Sequence, residues 1–160
     1  MLTKKWMGPL GQRWKGLAGV VLTLVVLTGC APSPPSNEPL EVSVNFIDSY
    51  DEWAQDGYAL PLPESLRSIA SESMLGVFED DQNWYYGGAV QQHGSVNIPE
   101  TELLESNNDH AVVRVVIDAS NVSVTADGEQ TFVDYSKPIA TLINLKKEGN
   151  WRITSTSSGD

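Results

Sequence analysis

The chain has 160 residues, with ten Lys/Arg against 21 Asp/Glu, a formal net charge of −11 and a single cysteine. That acidity argues against nucleic acid or anionic lipid headgroups as partners, because both need a basic patch. One cysteine excludes an intrachain disulfide framework, so stability must come from an apolar core.

The N-terminal stretch carries Lys4, Lys5, Arg13 and Lys15 and no acidic residue before Cys30. An apolar run follows at residues 17–27. Its length suits the h-region of an export signal, whereas a spanning helix needs about 20 apolar residues. The run ends in Leu27-Thr28-Gly29-Cys30. These four residues resemble a bacterial lipobox, in which a signal peptidase cuts between Gly29 and Cys30. Gly29 offers the small side chain before the cut, and the Cys30 sulfur takes a diacylglyceryl group as a thioether. Two acyl chains hold a protein on a membrane where one binds only marginally. The resemblance implies a palmitate-bearing lipoprotein on the extracytoplasmic face of the cell membrane. Removing residues 1–29 leaves six Lys/Arg against all 21 Asp/Glu, a net charge of −15.

Residues 30–39 then read as the lipidated cysteine and a Pro/Ser-rich tether. Its nine residues after Cys30, extended by proline, span roughly 28 Å. Residues 40–57 show helical spacing, with Val42, Phe46, Tyr50 and Trp53 on one stripe and Gly57 as the stop. Pro61-Leu62-Pro63 interrupts the chain. A short helix is expected over 63–70, and a third over 72–85, capped by Ser71 and ended by Gly87-Gly88. Strand texture follows, with short weak strands at 89–93 and 95–98. Residues 99–109 are acidic and polar and read as a loop or a turn of helix. Residues 111–117 are apolar on both faces apart from Arg114, which predicts a central strand. Further strands are expected at 122–125, 131–135, 139–145 and 151–155. Asp127-Gly128 and Glu148-Gly149-Asn150 mark turns, and residues 156–160 read as a frayed tail. Three helices followed by antiparallel strands predict an α+β layout with helices on one face of a curved sheet.

This pattern resembles the nuclear transport factor 2-like superfamily, including its SnoaL-like members. The likeness rests on the long opening helix with Phe46, Tyr50 and Trp53, on two shorter helices, and on the closing segment Lys146-Lys147-Glu148-Gly149-Asn150-Trp151-Arg152-Ile153. It covers about residues 40–156, leaving 157–160 as a tail. With the lipobox, the chain is similar to small actinobacterial-type lipoproteins of that superfamily. The resemblance implies a cone-shaped fold whose sheet curls around a pocket, lined by some of Tyr50, Trp53, Phe78, Trp84 and Tyr85.

Catalytic members pair an Asp with a His or Tyr for acid-base work. Here His93 and His110 both fall in polar stretches, and Asp118 and Asp134 end or occupy neighbouring strands. No spacing suits a metal, no phosphate loop or nucleophile elbow occurs, and no cofactor is implied. The sequence therefore reads as a non-catalytic binding or envelope-assembly domain whose partners are the membrane, through its anchor, and an envelope protein. The alternative is a pocket-based small-molecule carrier or a SnoaL-like acid-base enzyme, which would set a buried Asp118 or Asp134 against His93.

Overall fold

A computed structural model describes residues 37–131 and 136–159. Residues 29 and 30 of the lipobox, the tether up to residue 36, and Asp134 lie outside the described residues. The elements run α1 (Glu38–Gln55), α2 (Glu64–Ile69), α3 (Glu72–Gly87), β1 (Gln91–His93), β2 (Asn97–Ser106), β3 (His110–Asp118), β4 (Ser123–Ala126), β5 (Glu129–Thr131), β6 (Ile139–Glu148) and β7 (Asn150–Ser158). The architecture is α+β, with three helices packed on antiparallel sheets.

Helix α1 begins with Glu38 and Pro39 in its first turn, where proline lacks only a donor that would be unpaired anyway. Glu38 and Glu41 also complement the helix dipole there. The helix ends where Gly57 takes φ +66°, a conformation a Cβ disfavours. The Gly57 amide donates to the Ala54 carbonyl, and the Tyr58 amide donates to that of Trp53 at 2.9 Å. These two bonds satisfy carbonyls the helix would leave unpaired. In α3, the Ser71 hydroxyl accepts from the Met74 amide at 3.3 Å, as an N-cap should. At the other end, Gly87 and Gly88 close the helix, but the left-handed position falls one residue later, on Ala89 at φ +45°.

Four strands form the larger sheet, in the order β2-β3-β6-β7, and three form the smaller one, β1-β4-β5. All pairings are antiparallel. β3 lies between β2 and β6, matching the central strand expected at 111–117. Ala111, Val113 and Val115 alternate inward and are fully buried. Their neighbours Ile143 and Leu145 on β6 and Ile153 on β7 extend the same face. Helix α1 lies over this face and α3 over β7. The β4–β5 hairpin turns through Asp127 and Gly128, both at positive φ, as a two-residue turn between twisted strands requires.

Two segments differ from the sequence expectation. Residues 99–109, expected as loop or helix, are largely β2, which among the described residues is an edge strand paired with β3. Its register shifts between Asn97 and Glu100 and again between Leu103 and Glu105. Irregularities of this kind let an edge strand carry Pro99 and several acidic residues. The expected frayed tail from residue 156 is instead the end of β7. Thr156 pairs with Ile143, and Ser157 with Leu142. The Gly159 amide then donates to the Ala140 carbonyl at 2.9 Å. Among the described residues, no helix is long and apolar enough to cross a membrane.

Candidate functional site

The interior between α1 and α3 is filled by aromatic rings. Helical spacing stacks Phe46, Tyr50 and Trp53 along one face of α1. Phe78 enters from α3, with its ring centroid 6.1 Å from those of Phe46, Tyr50 and Trp53. Tyr58, held beyond the end of α1 at φ +57°, meets Trp53 edge-on at 5.1 Å and stacks on Tyr85 at 4.6 Å. Trp53 and Phe78 are each 1 % exposed. The Trp53 indole donates to the Ala59 carbonyl at 2.9 Å, fixing the loop after α1.

A polar pair in this cluster joins the two helices. The Tyr50 hydroxyl donates to Asp81 Oδ2 at 2.8 Å. Burial above all, then the neighbouring Tyr58 and Asp81, pushes the Tyr50 hydroxyl far above its ordinary range, so it stays a donor. Burial also raises the Asp81 carboxyl. The Tyr50 hydrogen bond pulls it back down, and nearby Asp80 adds a smaller upward push. A Tyr–Asp pair of this kind is capable of proton transfer in principle. A cleft between Trp53, Leu60, Leu62, Phe78, Glu79 and Gln82 measures about 30 Å³. That is room for one water molecule, whereas organic ligands occupy pockets of roughly 300–1,000 Å³.

Four of the sequence-derived pocket candidates, Tyr50, Trp53, Phe78 and Tyr85, thus come together, packed against one another. Trp84 does not join them. It sits on the outer side of α3 and is 78 % exposed. At 100° per residue it lies about 120° around the helix from Phe78. Asp118 ends β3. It accepts from the Ser120 amide at 3.0 Å, which lowers its carboxyl below the ordinary range. His93 is exposed and bonds Thr125 Oγ1 at 3.1 Å, so Asp118 and His93 are each engaged in local contacts. His110 lies 3.9 Å from Glu105 at the rim of the sheet. Among the described residues, no three His, Cys, Asp or Glu side chains converge as a metal site would need.

Sequence reasoning missed Tyr58 and Asp81. Asp81 carried a usable signal, since it stands three residues after Phe78 and four before Tyr85, on the same side of α3. It also missed Asp51, the most connected polar residue of α1. Asp51 Oδ1 accepts from the Gln92 side chain and from the Val96 amide at 3.2 Å, and Oδ2 accepts from Gln55 at 2.8 Å. These bonds tie the β1–β2 connection to the helix.

No family model matches this chain, and no curated protein matches it. Among solved structures it is similar to the intermembrane space region of the chloroplast protein ARC6. The two are 12 % identical, the match covers 78 % of this chain and 98 % of that chain, and the TM-score is 0.49. A likeness at that level carries no argument about fold or function.

Proposed function

We propose that the chain is a lipoprotein anchored through Cys30 on the extracytoplasmic face of a membrane. In this reading its α+β domain is of the nuclear transport factor 2-like cone type and works by binding a partner at its surface, without catalysis. The observation that carries the non-catalytic half is the filled interior. Trp53 and Phe78 are almost wholly buried, and among the described residues the cleft beside them measures about 30 Å³. The anchoring half is supported by the sequence alone, through the basic start, the apolar run and the lone cysteine after Gly29.

The test of the anchor is Cys30→Ala in the full chain. The variant folds with the same circular dichroism and moves from the detergent phase to the aqueous phase. Partitioning that survives the substitution sinks the anchor.

The Tyr50–Asp81 hydrogen bond favours one second reading, an acid-base site that opens to admit substrate. It predicts that some small molecule raises the thermal midpoint of the full chain and that Tyr50→Phe abolishes the rise. A midpoint unmoved across a broad library removes it.

A further inference from the structure

Helix α3 is only half used by the fold. Met74 and Phe78 are its buried residues, while Val77 and Trp84 remain 46 % and 78 % exposed. Val77, Asp80 and Trp84 follow steps of three and four residues and so form one stripe along the outer side of the helix. All three are exposed. The stripe carries the Asp80 carboxylate, α3 has no basic residue, and no Lys or Arg occurs between Arg67 and Arg114. Among the described residues, Asp80 forms no ion pair.

We propose that this outer stripe of α3 docks an arginine-bearing segment of a partner protein. The proposal rests on the interaction-domain reading above and names the surface and the chemistry of its partner. An exposed tryptophan beside a carboxylate one turn away fits a guanidinium well. The planar cation lies on the indole face while its N–H groups reach the Asp80 carboxylate. Tryptophan is also the side chain most often found as an interface anchor, and Val77 extends the apolar contact by two turns. The charge selects against other occupants. An anionic membrane surface is repelled by Asp80 and by the net negative charge of the chain. A second copy of this acidic chain brings a like-charged helix to the contact.

The experiment uses the full-length chain in a nonionic detergent. The probe is a fluorescein-labelled helical peptide of about four turns, built of alanine and glutamine with arginine at every fourth position. Binding is read by anisotropy at about 0.02 M and about 0.3 M salt, on either side of the usual screening range. The expected result is binding that weakens with salt. Trp84→Ala weakens it by about five- to tenfold and Asp80→Asn by about threefold with a shallower salt dependence, both with unchanged circular dichroism. Affinity unchanged in both variants overturns the α3 assignment while leaving surface binding elsewhere intact. Equal binding of a peptide with glutamate in place of arginine overturns the charge argument. Sedimentation showing self-association that Trp84→Ala abolishes assigns the stripe to a second copy instead. Complete absence of peptide binding also overturns the proposal, and it leaves the anchor untouched because phase partitioning reads that separately.

Discussion

Ala89 sits at φ +45° as the left-handed residue that closes α3, with its amide on the Tyr86 carbonyl and the Val90 amide on that of Tyr85. An L side chain at that conformation costs about 1–2 kcal/mol, partly offset by the greater unfolded-state freedom of glycine. Ala89→Gly is therefore expected to raise stability by about 0.5–1 kcal/mol, read as an upward shift of the urea midpoint without a change of slope. Two buried indoles make a second comparison. Trp53 donates to Ala59, whereas the Trp151 indole N–H finds no acceptor among the described residues, although Lys147 lies over its ring at 5.5 Å. Trp53→Phe should cost about 2–3 kcal/mol, from lost volume and an orphaned carbonyl, and Trp151→Phe about 1 kcal/mol less. Equal losses in paired urea melts would show that the hydrogen bond contributes nothing. Asp81 supplies the pH dependence. Its folded carboxyl titrates above the ordinary aspartate value of about 3.9, so folding takes up a proton there. Its contribution to stability is greatest in acid and declines as pH rises from that value through the raised one. Asp81→Asn keeps an acceptor for Tyr50 and should flatten this part of the pH–stability curve. A curve of unchanged shape would place the proton elsewhere.

At the scale of elements, what was legible followed from burial. All three helices were readable to within about two residues at each end because their inward positions are large and apolar. The central strand β3 was readable because Ala111, Val113 and Val115 are buried. β2 was not, because it is an edge strand whose residues are mostly exposed and include Pro99. Hydrogen bonding to β3 holds it, and hydrogen bonding leaves no hydropathy pattern. The same holds for the Ser/Thr end of β7, paired to β6 but exposed. Within the site, Trp84 is aromatic like Trp53 and Phe78, but helical phase separates it from Phe78. Tyr58 was hidden by the break after α1, since nothing in periodicity says that the chain doubles back there at positive φ.

Over the whole molecule, the proposed anchor and the charge work in one direction. Processing at Cys30 would remove four cations and no anion, leaving a domain of net charge −15. An acidic domain on a proline tether is held off an anionic membrane and offers its surface to cationic partners. The most direct measurement of this account is the intact mass of the protein extracted from membranes of the producing cell. The prediction is a chain that begins at Cys30 and carries a diacylglyceryl group on its sulfur. A chain that retains residues 1–29, or one cut elsewhere with a free Cys30 thiol, would contradict it.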